Sequence, residues 1–464
     1  MSMQQIHIIG GGTVFHVRPH FAIAAPAYGR VVRDLFDQIR EQNFDGIVHR
    51  YTTKMAGNRH QIWTSRSGID DSAPVSWPPK NLETNADVAD LLNELMIDPR
   101  PKVIFLPAAM CDFDVKTIIQ SHDSRPTYLK PGRAESRLKS DDGLISLELT
   151  PSEKVISRIR KFRKDIFLVG FKTTTGATKQ EQFEAGLTLV KKASCNLVLA
   201  NDLETRVNMV VTPEQAPHHV TTSRFQALGG LVKMAIARSQ GHFTRSEVVE
   251  GKFIGWTGEV VPAALRTVVD HCIKRGAYRP FMGKTVGHFA FKVPTAPGVP
   301  QQFITSRRGV DFNELDKVGM VAVMAEGDDK VVAIGAKPSV GGQSQRIIFT
   351  EHPDLDCIVH FHCPLRPEAQ RTRVQEKFDI DAERIEVRSQ EAHECGSHEC
   401  GKNTSDGLKM ALVDGQGTPL MKAVMLDKHG PNIVFNSRVN PATVIDFIER
   451  HWDLERQTSE VLDG

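Results

Sequence analysis

The chain has 464 residues, of which 40% are hydrophobic and 25% are charged, a composition typical of a soluble globular protein with two or three domains. The formal net charge of +2 argues against a large nucleic-acid-binding surface, and no apolar run is long enough to cross a bilayer. The first residues lack a signal-peptide pattern, and seven cysteines without framework spacing fit reduced thiols. We therefore expect a cytoplasmic protein without nucleic-acid or membrane partners.

The first predicted element is a short buried strand over residues 5–10, which runs directly into a Gly-Gly-Gly-Thr segment at residues 10–13. Glycines that follow a strand let backbone amides approach an anion closely, as the phosphate-binding turns of doubly wound sheets require. The segment therefore predicts a phosphate site. A tight turn without a ligand is the alternative interpretation.

Further strands follow in the N-terminal half, with amphipathic helical patterns between them. This alternation predicts an α/β domain with a doubly wound, Rossmann-like parallel sheet and helices on both faces. In such sheets ligands bind at the carboxyl ends of the strands. The predicted strands cover residues 102–107, 166–171 and 196–200, and the predicted helices include residues 30–40 and 180–192.

The ends of these strands carry motifs that resemble the synthetase of coenzyme A biosynthesis that joins phosphopantothenate to cysteine. The matching pieces are the initial Gly-Gly-Thr, the segment Arg137–Ser140 and the strand ends Ala108–Phe113, Gly170–Thr173 and Ala200–Asp202. The resemblance covers roughly residues 5–245. It implies a domain that activates a carboxylate with ATP or CTP and Mg²⁺ before an amine displaces the nucleotide.

The same resemblance implies roles for individual residues in a nucleotide site. Lys139 would neutralise the negative charge that develops on the phosphates during transfer. A solvated surface position is the alternative for Lys139, and a turn or cap role is the alternative for Asp112. The residues implied to bind the nucleotide are Gly11, Gly12, Thr13, Asp112, Phe171, Asn201 and Asp202.

One stretch departs from the synthetase pattern. The family's Asn-Arg-Ser-Ser-Gly-Lys run, whose asparagine contacts the acyl intermediate, is replaced here by Ala24–Arg30. Guanidinium groups pair well with carboxylates and phosphates. We therefore expect Arg18, His20 and Arg30 to bind a related anionic substrate.

The rhythm of strands and helices is lost between Gly241 and Gly258, which places a domain boundary near residue 250. This division gives domains over residues 1–250 and 251–464. The first helix of the second domain is predicted over residues 262–276, with Gly276 as its C-terminal cap.

A buried strand that begins at Cys357 carries His360 and His362. Side chains two residues apart on a strand point to the same face, so both imidazoles can meet one metal ion. His429, at the next junction of a strand and a turn, supplies a third nitrogen. Three protein ligands with an open position are the arrangement of a catalytic zinc site. A hydrogen-bonded pair of histidines at a strand end is the alternative.

The context of these histidines resembles the class II aldolase/adducin family over roughly residues 276–455. The resemblance implies an aldolase-like α/β domain whose three histidines hold Zn²⁺ or another divalent metal. The matching segments are Gly287–Ala290, Ile304–Gly309, Lys337–Ser339, His360–His362 and His429–Gly430.

Active aldolases of this family carry an acid/base glutamate after the Pro-Ser step, where this chain has Gly341. Retro-aldol chemistry needs a group that moves a proton. The segment His393–Cys400 offers Glu394 and Glu399 as replacements. A solvated polar loop without a catalytic role is the alternative for this segment.

The sequence thus predicts a bifunctional enzyme of small-molecule metabolism, with an NTP-dependent ligase-like domain fused to a zinc-dependent lyase-like domain. In one alternative only the metal-dependent half is catalytic. In another the chain is a non-catalytic sensor of a metabolite or nucleotide, because fold resemblance alone does not assign function. Both resemblances imply a homodimer or homotetramer, the usual assembly of soluble enzymes.

Overall fold

The computed structural model describes residues 4–64, 68–70, 81–122, 125–139, 141, 143–294, 301–326, 330–369 and 385–460. The chain forms two compact units. The first comprises Met1–Thr212 and His219–Ser239, and the second comprises Pro213–His218 and Gln240–Gly464. Both contain helices and a large sheet, which confirms the predicted α/β class. None of the described helices has the length and apolar character needed to span a membrane.

The N-terminal region alternates strands with helices as the sequence predicts. Its helices are α1 (Arg30–Glu41), α2 (Asn85–Ile97), α3 (Ile156–Phe162), α4 (Lys179–Ala193) and α5 (Arg224–Ser239). Its strands are β1 (Gln5–Gly12), β2 (Val14–Arg18), β3 (Phe21–Ala24), β4 (Ile47–Thr52), β5 (His60–Thr64), β6 (Gly68–Asp70), β7 (Lys102–Phe105), β8 (Ala108–Ala109), β9 (Phe113–His122), β10 (Arg125–Leu129), β11 (Leu144–Pro151), β12 (Phe167–Thr174), β13 (Leu197–Asp202), β14 (Asn208–Val211) and β15 (Pro217–Thr221).

The large sheet of this region has the strand order β15-β14-β13-β12-β7-β1-β4-β5-β6, with β8 paired to the end of β1. The five central strands from β13 to β4 run parallel to one another. Strands β14, β5 and β6 pair antiparallel at the two sides. The predicted parallel sheet is therefore correct for the centre, while its edges are antiparallel because short hairpins extend it.

Helices pack on both faces of the central strands. Ile6 and Ile8 of β1 form one core cluster with Leu35 of α1 and residues of α5. On the opposite face, Gly186 of α4 lies against Ala200 of β13 so closely that a side chain at this glycine would meet the Ala200 methyl. Strand side chains alternate between faces, so the two helix layers enclose the sheet.

A stack of aromatic rings lies across β1, β4 and β5. The rings of His7 and His49 are parallel at 4.6 Å between centroids, and those of Tyr51 and His60 are parallel at 4.3 Å. The Nδ1 of His49 lies 3.3 Å from the Nε2 of His60. Burial, followed by the neighbouring charge of His60, lowers the pKa of His49 to about 4. The stacked imidazoles are therefore neutral near pH 7.

The second unit has a sheet of its own and five described helices. The helices are α6 (Ala263–Lys274), α7 (Leu315–Val318), α8 (Gly342–Glu351), α9 (His398–Gly407) and α10 (Pro441–His451). The strands are β16 (Arg245–Val249), β17 (Pro280–Phe281), β18 (Lys284–Thr285), β19 (His288–Val293), β20 (Gln302–Ser306), β21 (Met320–Glu326), β22 (Lys330–Ile334), β23 (Cys357–His360), β24 (Glu386–Arg388), β25 (Lys409–Val413), β26 (Pro419–Leu426) and β27 (Gly430–Phe435).

The sheet of the second unit has the order β16-β22-β21-β20-β19-β23-β27-β26-β24, with β25 paired to β26. Its strands from β22 to β26 pair antiparallel, and only the pairs β16–β22 and β24–β26 are parallel among the described pairs. Strand β23, which carries His360, lies between β19 and β27 and is fully buried. The centre of this sheet therefore gives the histidine a rigid backbone.

Helices α6 and α10 cover one face of this sheet through a common core. Leu265 and Val268 of α6 share a buried cluster with Phe447 of α10 and with Trp452, which directly follows that helix. Helix α6 ends at Lys274, and Gly276 follows with a φ of 86°. The C-terminal helix therefore packs within its own unit.

Candidate metal centre

The predicted histidines lie at or just beyond the ends of neighbouring strands. His360 is the last residue of β23 and pairs with His288 of β19 on one side and Asn432 of β27 on the other. His362 lies two residues beyond the end of β23, so the strand predicted to carry both histidines is shorter than expected. His429 lies in the tight turn between β26 and β27.

Gly430 makes the close approach of this turn possible. Its φ is 142°, and a Cβ atom there would lie 2.0 Å from the carbonyl oxygen of Phe361. Any other residue would push the turn away from the strand. The close approach of the turn to Phe361 therefore explains why glycine follows His429.

The structure brings the three predicted imidazoles together. One potential ligand atom from each of His360, His362 and His429 lies within 4.8 Å of the others, and each residue is at most 4% exposed. The Nε2 atoms of His360 and His429 are 3.3 Å apart. The ring centroids of His362 and His429 are 4.6 Å apart.

The donor set fits a divalent metal of the zinc type. The Nδ1 of His360 lies 2.6 Å from the carbonyl oxygen of Pro431, to which it donates a hydrogen bond, so Nε2 keeps its lone pair for the centre. Burial lowers the pKa of His360 to about 4 despite the opposing effect of the Pro431 carbonyl. The ring is therefore neutral, as a metal ligand must be. Residues of this chain supply three nitrogens, which leaves room for a substrate at the fourth position.

A fourth imidazole, which the sequence analysis did not single out, borders the centre. His288 is 4% exposed, and its ring centroid lies 4.8 Å from that of His360. The Nε2 of Gln345 lies 2.8 Å from the Nδ1 of His288 and orients the ring. Burial, followed by the neighbouring His360 and His429, lowers the pKa of His288 well below its ordinary value. The segment Gly287–Ala290 was noted in the sequence, but the pairing of β19 with β23 was not readable from it.

His288 also occupies the space beside Gly341. A Cβ atom at position 341 would lie 2.2 Å from both the Cδ2 and the Nε2 of His288. The backbone of Gly341 has a φ of −69° and precedes α8 as its N-cap. Its lack of a side chain is therefore explained by the imidazole and not by backbone conformation.

The two glutamates expected to replace the missing carboxylate lie outside the histidine cluster. Glu399 lies in the first turn of α9, where it accepts a hydrogen bond from the His242 amide at 3.0 Å and pairs with the His242 ring at 2.6 Å. Glu394 is half-buried in the loop before α9. Within the described residues, the cluster of potential metal ligands consists of the three histidines and includes neither glutamate.

In the first unit, the glycine segment predicted as a phosphate-binding turn is the end of a strand. Residues 10–12 complete β1, where Gly11 and Gly12 pair with β8. The amide of Gly12 donates to the carbonyl of Ala27 at 2.8 Å, and the amide of Thr13 donates to that of Ala109 at 3.0 Å. The strand continues because β8 extends the sheet beside it, so these two amides are engaged within the protein.

The Thr13 side chain is likewise internal and fully buried. Its hydroxyl donates to Asn85 Oδ1 at 2.7 Å and accepts from the Cys111 amide at 2.9 Å. The residue therefore ties β1 to the start of α2 and does not offer a free hydroxyl to a phosphate. The phosphate contact that the resemblance implied for Thr13 stays a prediction.

The other residues implied to bind the nucleotide lie on or near neighbouring strands. Phe171 pairs with Leu199, and Thr174 pairs with Asp202, along the parallel strands β12 and β13. Asn201 and Asp202 are buried, whereas Asp112 is exposed and pairs with Lys154.

Asp202 organises the backbone around its strand end. It accepts hydrogen bonds from the amides of Gly176, Ala177, Glu204 and Thr205. Burial raises its pKa, but these bonds, with that from Thr174, outweigh burial and hold the pKa below its ordinary range.

The three residues of the predicted anion-binding cluster lie in different environments. Arg18 is 2% exposed and donates to the carbonyls of Val17 and Lys130, so its guanidinium secures the backbone. His20 is exposed in the turn after β2, and Arg30 is exposed and lies near Asp34. Lys139 is exposed in the segment between β10 and β11. Arg18 therefore holds the backbone, whereas His20 and Arg30 are exposed.

Both parts of the chain are similar to known proteins. Residues 269–443 match the Class II Aldolase and Adducin N-terminal domain. A stretch of 123 residues is 30% identical to the Coenzyme A biosynthesis bifunctional protein CoaBC of Thermococcus kodakarensis. This stretch covers 26% of the present chain and 27% of that relative, so the similarity spans about a quarter of each protein.

Solved structures of two kinds are also similar. The DNA/pantothenate metabolism flavoprotein from Streptococcus pneumoniae is 18% identical, with coverage of 49% of this chain and 96% of that one and a TM-score of 0.37. The sugar-phosphate aldolase from Thermotoga maritima is 17% identical, with coverage of 40% and 88% and a TM-score of 0.28.

Two parts of the chain are therefore similar to two classes of protein. Residues 269–443 match the domain of the class II aldolase/adducin type, and the N-terminal region is similar to CoaBC. Both resemblances predicted from the sequence motifs are confirmed at this level.

Proposed function

We propose that the second unit is a divalent-metal-dependent lyase that cleaves or forms a carbon–carbon bond next to a carbonyl group of a small hydroxy-carbonyl substrate. The observation that carries this proposal is the convergence of three buried histidines, His360, His362 and His429. When bound there, a metal such as Zn²⁺ supplies Lewis acidity that polarises a carbonyl and stabilises an enolate. All-imidazole ligation favours zinc among the divalent ions.

The residues around the centre perform the remaining tasks. The Pro431 carbonyl fixes the orientation of His360. His288, held by Gln345, fills the space beside Gly341, and we assign it the transfer of the substrate proton. Phe361 and Trp452, both fully buried, pack edge to face and exclude water behind the strand.

Metal analysis tests the proposal directly. Purified wild-type protein is expected to retain close to one divalent ion per chain, and His360→Ala or His362→Ala is expected to lose it. His271→Ala is the matched control, because His271 is a partly exposed histidine of the same unit that pairs with Glu449. Full retention of metal in the doubly substituted protein His360→Ala/His362→Ala would refute the site.

We further propose that the first unit binds ATP or CTP with Mg²⁺ and activates a carboxylate as a ligase. Its support is the similarity to CoaBC and the polar ends of β12 and β13. A ligand that binds only the folded protein raises its unfolding temperature, so millimolar ATP or CTP with Mg²⁺ should produce such a rise. Asp112→Ala should reduce it, whereas Glu153→Ala, which removes another exposed carboxylate in an ion pair, should not.

In a second candidate function, only the second unit, which holds the three histidines, is catalytic. It is favoured by the engaged amides of Gly12 and Thr13 and by the burial of Arg18. If no nucleoside triphosphate raises the unfolding temperature of the wild type, this candidate replaces the bifunctional one.

We also propose that the protein assembles as a homodimer or homotetramer. This follows from the two family resemblances and from the prevalence of symmetric homo-oligomers among enzymes. Light scattering after size exclusion tests it, and a mass near that of one 51.6 kDa chain would exclude assembly.

A further inference from the structure

Two of the three clustered histidines lie outside the regular strands. His360 is the last residue of β23, and strand pairing fixes its backbone on both sides. His362 follows that strand, and His429 lies in the turn between β26 and β27, whose pairing ends at Leu426 and Gly430. Imidazoles bind one metal ion only when their rings are held in converging orientations. The backbone of His362 and that of His429 therefore depend on contacts other than the strand pairing that fixes His360.

One residue near the C-terminus contacts the backbone of both histidines. The amide of Thr458 donates a hydrogen bond to the carbonyl oxygen of His362 at 2.9 Å. The hydroxyl of Thr458 lies 3.4 Å from the same oxygen and 3.2 Å from the carbonyl oxygen of His429, and it donates to both. These two histidines are separated from Thr458 by 96 and 29 positions in the chain. A single threonine thus links two distant segments at the residues that carry potential metal ligands.

The segment that carries Thr458 is anchored by contacts of its own. Trp452 and Leu454 are fully buried in the core of the second unit. The side-chain amide of Gln457, which is 8% exposed, donates to the carbonyl oxygen of Gly276 at 3.2 Å. These contacts hold the residues just before Thr458, so the threonine reaches the histidines from a fixed position.

A threonine hydroxyl that bonds a backbone carbonyl is common within helices, where it serves only local structure. Thr404 of α9 is an example in the same unit, since it is 1% exposed and its hydroxyl donates to the carbonyl oxygen of Cys400 at 2.8 Å, four residues earlier. Thr458 differs because its two acceptors lie in separate segments and both belong to clustered histidines. Its contact therefore couples the positions of two potential ligands.

We propose that Thr458 is a positioning residue that sets the orientation of His362 and His429 for metal binding. This inference rests on the proposed function, because it concerns the metal centre assigned there. Each imidazole is attached to the backbone that Thr458 holds, so a shift of either carbonyl group moves the ring. Groups that orient metal ligands from behind contribute about 10–100-fold to metal affinity. Thr458 lies beyond residues 269–443, so the match to the aldolase domain assigns no role to it.

The first measurement compares the Zn²⁺ affinity of substituted full-length proteins by competition with a chromophoric chelator. Thr458→Val replaces the hydroxyl by a methyl group and keeps the amide bond to His362, and it should weaken Zn²⁺ binding by about 10-fold or more. Thr458→Ser keeps a hydroxyl and should bind Zn²⁺ as the wild type does. Thr404→Val is the matched control, because its hydroxyl bonds no clustered histidine, and its affinity should be unchanged. Thr458→Ala repeats the test if valine does not fit at this half-buried position.

Two further measurements separate positioning from a general loss of stability. The visible absorption spectrum of the Co²⁺-loaded protein reports the geometry of the ligands, and its bands should change in Thr458→Val but not in Thr404→Val. Hydrogen exchange of the metal-free protein requires no ligand at all. The amides of the turn around His429 should exchange faster in Thr458→Val than in the wild type, because the bond to the His429 carbonyl is lost.

The outcomes distinguish this inference from the proposed function. If the wild type binds Zn²⁺ and Thr458→Val binds it with the same affinity and the same Co²⁺ spectrum, Thr458 has no positioning role, while the metal centre stands. An equal loss of affinity in Thr458→Val and Thr458→Ser would also overturn the role of the hydroxyl. If the wild type binds no divalent metal, the proposed lyase fails, and hydrogen exchange decides the role of Thr458. Faster exchange around His429 in Thr458→Val then supports it, and unchanged exchange overturns it.

Discussion

Replacement of Gly341 by alanine tests the packing of the candidate centre with a single methyl group. The added Cβ would lie 2.2 Å from the imidazole of His288, well inside van der Waals contact. The φ of Gly341 is −69°, so alanine meets no backbone penalty, and the whole effect is steric. Overpacking of a buried site costs about 1–3 kcal/mol, and we expect Gly341→Ala to lower the free energy of unfolding by about that amount.

The neighbouring glycine provides a matched control. A Cβ atom on Gly342 would meet nothing within 4 Å, and Gly342 is the first residue of α8. Gly342→Ala should therefore be neutral or should stabilise the protein by up to about 1 kcal/mol through helix propensity. Urea unfolding followed by tryptophan fluorescence measures both, because Trp256 and Trp452 are buried in this unit.

A double-substitution cycle assigns the effect to His288. When His288→Ala removes the ring, Gly341→Ala should lose most of its effect, since the clash no longer exists. A Gly341→Ala protein as stable as the Gly342→Ala protein would refute the reasoning, as would an unchanged loss of stability in the His288→Ala background.

Three further predictions concern stability. His49 has its pKa lowered to about 4 in the fold, so between pH 6.5 and 4 the unfolded chain binds more protons, and acidification should remove at most about 3 kcal/mol of stability through this residue. His49→Phe should flatten the dependence of the unfolding free energy on pH, and a slope equal to that of the wild type would contradict the prediction. Trp452→Ala should lower the free energy of unfolding in urea by about 3–5 kcal/mol, because removal of a fully buried indole leaves a cavity. The elution volume of this variant in size exclusion should stay unchanged. A loss below about 1 kcal/mol would show that the surrounding residues close the cavity, contrary to the prediction. Asp202→Ala should lower the unfolding temperature more than Asp112→Ala does, since only Asp202 is buried and accepts four amides; equal effects in calorimetry would exclude that role.

The sequence predicted that His360 and His362 lie together because the information for this pair is local. The alternation of side chains along a strand aligned His360 with His362, and the apolar residues before them marked the strand as buried. His288 escaped notice because its place beside His360 depends on the register of β19 against β23, which links residues far apart in the chain. No periodicity within either strand reports that register.

For the glycines of β1, the local pattern predicted a turn where the structure has a strand. A Gly-Gly-Gly-Thr segment after a buried strand has the composition of a turn, and the sequence analysis predicted one. The partner strand β8 is only two residues long, Ala108–Ala109, and it extends β1 to Gly12. Tertiary pairing thus overrode a local preference, and the same pairing engaged the amide of Thr13.

The position of His429 has a consequence for how the second unit folds. It is separated from His360 by 69 positions, so the cluster exists only after a long stretch of chain has been closed into a loop, at an entropic cost. A metal ion bound by both residues would act as a crosslink that spans this loop, comparable to a disulfide of the same length. By chain-entropy arguments such a crosslink is worth about 4 kcal/mol. Removal of metal should therefore loosen the hairpin of β26 and β27 before it loosens β1, and hydrogen exchange can follow that order.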